Sequence, residues 1–487
     1  MVSMVSKETI FSARLKKARL RCMFSPAMAN LPSLHIGSSE DRRSLGQARR
    51  KQMKRQNHGL WDAKRRRHEP LKLLEESMRG RVPALVPLKY ERMLVSPFGY
   101  FRGAVPVMAA DLALLPNTGI VNQICGDAHV RNLGAYAAPD GRLVFDINDF
   151  DETTRAPFEW DLKRLSVSLV LAGREAGAKD SFAKDAVWAF LDQYRKCARI
   201  FAKLPVLELA RYQVHRLRKV APVSEILLKA ERATPMHTLE TLTIPAKRGT
   251  GRIFRENKPV LTRIGGSQAR RVLAAMKEYS ESLSPARQHL LAQYRPVDEC
   301  FKVVGTGSVG TRDFCVYMEG NGSGDPLFLQ IKEEVGSAYL PYLSDRAKKS
   351  HWGRLVAEGQ LAMQMQSDPL LGWTTIANRD YLVRQLNDHK AAIAVEALKG
   401  PGLAAYAEVC GELLARGHAR SGDVQMIVGY IGNGESFAEA IVDFAIAYAD
   451  QTEADWEKLR KSKHAPRGTR RAKDGPTRGL ARRPAGR

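Results

Sequence analysis

A cluster of acidic side chains is the first feature of this chain that could do chemistry. Four carboxylates fall within seven positions around the end of an apolar run: Asp146, Asp149, Asp151 and Glu152. Carboxylates crowded at a strand end repel one another unless a cation neutralises them. Mg²⁺ is the simplest such cation, because it binds a few carboxylate or amide oxygens and keeps its other positions for water and phosphate. The sequence therefore predicts a magnesium site here.

A second polar segment precedes this cluster. The apolar run 120–125 leads into Gly126-Asp127-Ala128-His129-Val130-Arg131-Asn132, and the next strand-like run, Leu143–Ile147, begins eleven residues later. Asp127 and Asn132 are five positions apart on a predicted loop. Asp140-Gly141 indicates a hairpin turn between the two runs, which brings the loop and the acids together. Taken alone, Gly-Asp-x-His could also be a turn with a capping Asp.

The order of these segments resembles a known superfamily. The segments GDAHVRN, FDINDFDE and EWDLKRL are similar to the HGDxHxxN, IDFxD and WDLA blocks of aminoglycoside and choline phosphotransferases. The longer stretch from Arg92 to Gln451 resembles a bacterial family known as domain of unknown function 2252. The resemblance implies a two-lobed, protein-kinase-like α+β fold with a mostly helical large lobe and a small antiparallel β lobe.

The resemblance also implies roles for individual residues. Asp127 would accept the proton of a substrate hydroxyl, with His129 beside it, and Asn132 would hold a metal. Asp149 lies where the metal-binding Asp of Asp-Phe-Gly would lie, so the expected Mg²⁺ ligands are Asn132, Asp149 and Asp151. Asp146 is an alternative to Asp151 in the outer sphere or at a second metal.

A glycine-rich segment further along the chain completes the expected ATP site. Gly305, Gly307, Ser308 and Gly310 lie between two strand-like runs, where glycines let backbone N–H groups approach phosphate oxygens. A plain tight hairpin explains the same glycines. Lys332, at the end of FLQIK, takes the place of the lysine that pairs with the phosphates, and Glu358 on the next predicted helix would orient it. Strand 381–386 would contact the adenine.

The chain departs from the family pattern in three respects. Asp127 precedes Gly305 by 178 positions, whereas kinases place the glycine-rich loop first, so the lobes are expected in circularly permuted order. Cys125 stands in place of the first His of the block, and Asp151 in place of the Gly of Asp-Phe-Gly.

Arg102, in SPFGYFRG, could bind a phosphate or a carboxylate, or could pair with the acid cluster.

Charge is concentrated at the ends of the 487-residue chain. Residues 1–70 hold 17 Lys/Arg against 5 Asp/Glu, a net charge of +12, and residues 458–487 hold 12 against 1, a net charge of +11. Because the whole chain carries +25, the body is nearly neutral. Both tails are predicted to be disordered, and they could contact nucleic acid or acidic surfaces through charge alone. Six scattered cysteines and the absence of a long apolar run favour a cytoplasmic protein without membrane contact.

These patterns predict six parts and one leading function. The parts are a basic tail (1–70), a large-lobe-like catalytic and metal-binding part (71–240), a connector with helices (241–300), a small-lobe-like part with the glycine-rich hairpin and the lysine (301–390), closing helices (391–457) and a second tail (458–487). The expected function is an ATP- and Mg²⁺-dependent phosphotransferase that acts on a small-molecule hydroxyl. Two alternatives are nucleotidyl (AMP) transfer on the same fold and a non-catalytic nucleotide-sensing or nucleic-acid-binding protein.

Overall fold

The computed structural model describes residues 37–214, 220–247, 251–343, 350–386 and 390–464. The helices are α1 (Ser39–Gln52), α2 (Pro70–Ser77), α3 (Val86–Leu94), α4 (Pro97–Gly103), α5 (Val105–Ala113), α6 (Glu159–Glu175), α7 (Asp180–Phe201), α8 (Val206–Arg211), α9 (Ala221–Arg232), α10 (Pro235–Leu242), α11 (Gly266–Glu281), α12 (Pro285–Leu291), α13 (Trp352–Met363), α14 (Pro401–Ser421), α15 (Val424–Ile431) and α16 (Glu435–Lys461).

The strands form one large and three small sheets, all with antiparallel pairs. The strands are β1 (Val121–Ile124), β2 (Leu133–Ala137), β3 (Leu143–Ile147), β4 (Thr154–Pro157), β5 (Thr243–Pro245), β6 (Arg252–Phe254), β7 (Leu261–Arg263), β8 (Arg295–Lys302), β9 (Asp313–Glu319), β10 (Pro326–Glu333), β11 (Gly372–Ile376), β12 (Arg379–Gln385) and β13 (Ala391–Ala392). The six-stranded sheet has the order β11-β12-β10-β9-β8-β7, and the small sheets pair β13-β2-β3, β1-β4 and β5-β6.

The apolar side chains divide into a helical core and the two faces of the large sheet. The largest core packs α6, α7, α14 and α16 around β1–β4. Along β9, Phe314, Val316 and Met318 face α11 and α12, while Cys315 and Tyr317 face the opposite side, as the two-residue period of a strand requires. The protein therefore has a helical part and a sheet part, each with its own buried side chains.

Several local predictions are confirmed because short-range chemistry decides them. Gly141 has φ 78°, and Arg142 N donates to the Asp140 carboxylate, so the Asp-Gly turn closes the β2–β3 hairpin. Helix α6 is buried over nearly its whole length, in agreement with its apolar composition. Helices α14 and α16 lie where the closing helices are predicted, and α16 continues to Lys461.

The prediction of disorder for residues 1–70 is wrong where the structure describes them. Helix α1 packs against α15, and its Arg50 donates to the carbonyl oxygens of Gly429 and Tyr430 at the end of that helix. Arg66 pairs with Asp111 and Asp455, on α5 and α16. The arginines that indicate a solvated tail therefore satisfy carbonyl and carboxylate groups far away in the sequence. Residues 1–36 and 465–487, also predicted to be disordered, lie outside the described residues.

The sheet begins before the predicted boundary at residue 301. Strand β8 starts at Arg295, and β7 pairs with it, so part of the expected connector (241–300) belongs to the sheet. None of the helices in the described segments has an apolar stretch of the length that crossing a bilayer requires.

Substitution of Gly46 tests whether α1 is part of the fold. A Cβ atom at Gly46 would lie 2.1 Å from the carbonyl oxygen of Met426 on α15. Gly46→Ala should therefore lower the free energy of unfolding by about 1–3 kcal/mol, measured by chemical denaturation. In an unattached helix the same change would be stabilising by about 1 kcal/mol. Gly324→Ala, in the β9–β10 turn with no atom within 4 Å of the new Cβ, is the control.

The buried carboxyl of Asp313 predicts a pH dependence of stability. Burial raises its pKa to about 7, although Gln330 Nε2 donates to Asp313 Oδ2 at 2.6 Å. The native state thus retains a proton that the unfolded chain releases near pH 4, so this group's contribution to stability falls as pH rises from about 4 to about 7. The free energy of unfolding of Asp313→Asn, relative to that of the wild type, should rise by roughly 2–4 kcal/mol between pH 4 and pH 8. A constant difference over this range, as expected for Asp185→Asn on the exposed side of α7, would contradict the prediction.

Candidate active site

The loop after β1 is held by a carboxylate from α6. Asp161 accepts hydrogen bonds from the backbone N–H groups of Cys125 and Gly126, each at 2.9 Å, and His418 Nε2 lies 3.3 Å from the same carboxylate. Gly126 has φ 78°, and a Cβ atom there would lie 2.1 Å from the carbonyl oxygen of Glu152. The loop therefore enters the site in one conformation, packed directly against the acidic segment.

Asp127 lies in this loop beside a buried guanidinium. Arg164 Nε and Nη2 donate to Asp127 Oδ1 at 2.9 and 2.6 Å, and His129 Nε2 lies 3.6 Å from Oδ2. Burial raises the pKa of Asp127, and Arg164 acts against that shift. Burial and the nearby guanidinium of Arg102 lower the pKa of His129 well below its usual value, so this imidazole is neutral near pH 7. Asp127 Oδ2 remains the oxygen that can accept a proton.

Asn132 joins the two polar segments. Its side-chain Nδ2 donates to the backbone carbonyl oxygen of Asp127 at 2.8 Å, and its backbone carbonyl oxygen accepts from Asn148 N at 2.9 Å. The residue is buried. The first contact fixes its side chain on the loop, and the second joins its backbone to the acidic segment. The predicted proximity of Asp127, Asn132 and Asp149 rests on this contact.

The four acids of the cluster point to different partners. Asp149 and Asp151 both face Lys332 at the end of β10, whose Nζ lies 3.6 Å from Asp149 Oδ1 and 2.5 Å from Asp151 Oδ1. Asp146 instead forms a buried ion pair with Arg416, so its predicted role near a metal is wrong. Glu152 accepts from Ala338 N at 2.6 Å, and burial raises its pKa to about 7.

Lys332 is an ammonium group enclosed by carboxylates. Its side chain is almost fully buried, and although burial lowers its pKa, Asp149 and Asp151 outweigh that effect and raise it. Lys332 in turn holds the pKa of Asp151 below its usual value against the effect of burial. Glu358 does not orient this lysine, contrary to prediction, because it lies on an exposed face of α13 and accepts from Arg354 Nε at 2.7 Å.

The glycine-rich segment lies across the same cleft. Ser308 Oγ donates to Asp151 Oδ2 at 3.0 Å, and Gly305 and Gly310 have φ 28° and 92°. Its carbonyl oxygens are bound by three cations from the segment before residues 126–132, the catalytic-type loop. Arg81 donates to Val309 O at 2.7 Å, Lys89 to Gly307 O at 2.6 Å and Arg92 to Gly305 O at 2.7 Å.

The residues present suit a magnesium ion that is bound by only a few protein ligands. The carboxylate oxygen Asp149 Oδ1 is buried and accepts no hydrogen bond from the described residues. Within the described ranges, no group of three or more His, Cys, Asp or Glu side chains could hold a metal. Mg²⁺ is usually bound through one or two carboxylates together with substrate phosphates, so Asp149, Asp151 and the Asn132 amide are a suitable donor set.

An open cleft connects these groups. Its empty volume is about 560 Å³, counting the part open to solvent, and its lining includes Arg102, Asp127, Asp151, Gly307 and Ser308. Asp149 and Lys332 contact one another and Asp151 without lining the cleft, whereas His129 and Asn132 line a separate small cavity.

Several residues of the site were not predicted. The segment EWDLKRL contains both Asp161 and Arg164, and a charged residue on an otherwise apolar, buried helix is a signal that could have identified Arg164. The cations Arg81, Lys89 and Arg92 carry no comparable signal, because lysine and arginine on short polar helices are ordinarily solvated.

The comparisons identify the chain by family only. A family model described as "Uncharacterized protein conserved in bacteria (DUF2252)" matches residues 81–462, which include the catalytic-type loop, the acid cluster and Lys332. No curated protein and no solved structure matches the chain significantly.

The Asp146–Arg416 pair gives a prediction that separates structural from metal-binding acids. Arg416→Met should lower the free energy of unfolding by about 3–5 kcal/mol, because it leaves the Asp146 charge buried without a partner. The double variant Asp146→Asn/Arg416→Met should recover much of that loss in the same denaturation experiment. Arg142→Met, at an exposed arginine of the β2–β3 turn, is the control. Wild-type stability of Arg416→Met would show that the pair is unimportant.

Proposed function

Since the chain belongs to this bacterial family, whose description assigns no activity, we propose from the geometry that it is an ATP- and Mg²⁺-dependent phosphotransferase acting on a small-molecule hydroxyl. The observation that carries the proposal is the meeting of Lys332 with Asp149 and Asp151. Lys332 is about 180 positions from the two acids, yet it forms ion pairs with both, and Asp151 lines the cleft. Phosphoryl transfer requires this combination of positioning and charge neutralisation more than it requires covalent catalysis.

Each wall of the cleft has a separate task in the proposed reaction. Lys332 and the backbone of residues 305–310 bind the ATP phosphates. Asn132, Asp149 and Asp151 are the residues that would hold Mg²⁺, which neutralises phosphate charge when bound. Asp127 binds the acceptor hydroxyl and takes its proton as the acceptor oxygen forms a bond to the γ-phosphorus. The bond from that phosphorus to the β,γ-bridging oxygen breaks, and ADP leaves with the electron pair.

Arg164 determines how Asp127 acts. Burial raises the pKa of Asp127 and so makes it a better base, whereas Arg164 limits this increase and fixes the carboxylate's orientation through two hydrogen bonds to one oxygen. In the proposed mechanism Asp127 orients the hydroxyl and receives its proton late. This suits a transition state in which bond formation to the acceptor has advanced little.

The topology of the sheet supports the kinase-like part of the proposal. The glycine-rich turn joins β8 to β9, Lys332 lies on the next strand, β10, and α13 follows before β11 and β12. Kinases use the same succession of glycine-rich loop, strand lysine and helix. With Asp127 upstream of this succession, the proposal includes a permuted order of the two parts. ATP and Mg²⁺ are both available in the cytoplasm, which is the proposed location.

Three substitutions test the proposal on the full chain with Mg²⁺ and ATP. Lys332→Met should weaken ATP binding at least about tenfold, because it removes a charged hydrogen-bond donor from the phosphates. Asp149→Asn should reduce the Mg²⁺ dependence of binding. Asp127→Asn should leave ATP binding nearly unchanged but lower turnover by about 10²–10⁴-fold. Asp140→Asn, in the exposed β2–β3 turn, is the matched control.

The outcomes of this experiment are distinct. A wild-type chain that binds no ATP in the presence of Mg²⁺ would overturn the proposal, and full turnover by Asp127→Asn would remove that residue from the mechanism. Mass analysis of the product identifies the transferred group. Transfer of AMP instead of phosphate would show that the site binds ATP but catalyses nucleotidyl transfer.

A further inference from the structure

The acceptor side of the cleft, the part next to Asp127, contains an arginine whose guanidinium has no hydrogen-bond partner among the described residues. Arg102, at the end of α4, lines the cleft beside Asp127. Its guanidinium makes no hydrogen bond or ion pair with the described residues, and its Nε is buried without a partner. A guanidinium has five donors, and burying one without an acceptor is costly. Since Arg102 lines the cleft, its free donors are available to an anionic ligand there.

Arg131 is a second arginine of the same loop. It lies four residues after Asp127, is exposed, and has no ion pair among the described residues. Burial lowers the pKa of Arg102 to about 10, and the charge of Arg131 adds to this shift while Asp127 and Asp149 act against it. An exposed arginine near Arg102 can turn its fork of donors towards the same anion.

The carboxylates near Arg102 have other cations as partners. Asp127 is paired with Arg164, and Asp149 and Asp151 share Lys332. Lys89, which lines the same cleft, is buried and donates to Gly307 O. The hydrogen-bond donors of Arg102 are therefore left for a ligand.

We propose that the acceptor is an anionic alcohol, whose phosphate or carboxylate group is bound by Arg102 and Arg131 while its hydroxyl lies at Asp127. The inference rests on the proposed function, because it defines the acceptor of that reaction. Arginine suits this role, since its planar fork matches both phosphate and carboxylate oxygens. A cationic acceptor, such as those of the aminoglycoside and choline enzymes, would leave the donors of Arg102 without a partner.

Binding of small probes to the full chain tests the inference by calorimetry. Glycerol 3-phosphate and glycerate are the anionic probes, glycerol is the neutral probe and choline the cationic one. Each is titrated without nucleotide and with a non-hydrolysable ATP analogue and Mg²⁺. We expect the anions to bind and the other two not to bind. The comparison of glycerol 3-phosphate with glycerate shows whether the site prefers phosphate or carboxylate.

Variants locate the bound anion. Arg102→Gln and Arg131→Gln should each weaken binding of the anionic probe about 10- to 100-fold, the effect of losing a charged hydrogen-bond donor. Arg142→Gln, an exposed arginine outside the cleft, should have no effect. Anion binding that is displaced by the ATP analogue and lost in Lys332→Met, but retained in Arg102→Gln, would assign the anion to the nucleotide site and overturn the inference.

The remaining outcomes separate this inference from the proposed function. The absence of anion binding by the wild-type chain, or equal binding of glycerol and choline, overturns the anionic acceptor even if ATP still binds. Anion binding that depends on Arg102 in a chain that fails to bind ATP upholds the anion site and rejects the phosphotransferase. Retention of the native melting temperature in Arg102→Gln ensures that a loss of binding is local.

Discussion

The ion pair of Lys332 with Asp149 and Asp151 is the contact on which the candidate site depends. A lysine ammonium removed from water loses several kcal/mol of hydration unless carboxylates replace it. Because Lys332 ends β10 and the two acids follow β3, this requirement forces the sheet part against the helical part. Ser308 reinforces the contact by donating to Asp151, and Arg384 of β12 donates to the carbonyl oxygen of Asn148.

The same ion pair explains how the proposed site can remain folded without its substrate. The cleft holds an ammonium that compensates part of the charge of two carboxylates. A nucleotide triphosphate with a divalent cation brings in both signs of charge, so Lys332 can exchange a carboxylate for phosphate while Asp149 and Asp151 exchange the ammonium for the metal. Each group thereby replaces one charged partner with another of the same sign, which limits the cost of desolvation on binding.

How much of this could be predicted from the sequence depends on the range of the interaction. Hairpins and helices follow from neighbouring residues, as at Asp140-Gly141 and along α6. The proximity of Asp149 and Lys332 was predicted from the order of several segments, which resembles that of a known superfamily. Glu358 and Asp146 were assigned wrongly because spacing shows that an acid is present but not which cation it meets. Asp146 is paired with Arg416, which is 270 positions away and carries no local signal.

The prediction of disorder for the N-terminal segment was wrong for a related physical reason. Composition predicts disorder from the balance of apolar burial against chain entropy. Helix α1 is held by another interaction, in which arginines donate to carbonyl oxygens at the end of α15. Carbonyl groups at a helix end lack partners within the helix, so guanidinium groups satisfy them at little cost. Such acceptors belong to the backbone and are invisible in composition.

The carbonyl groups of the glycine-rich segment extend this argument to the cleft. Backbone carbonyls near a phosphate repel it, and a glycine-rich turn exposes them as readily as it exposes N–H groups. Arg81, Lys89 and Arg92 bind three of these carbonyl oxygens from outside the turn. The segment 81–92 therefore removes a repulsive term from the proposed phosphate site and attaches the sheet to the helical part. One set of cations thereby stabilises the junction of the two parts and prepares the turn for an anion.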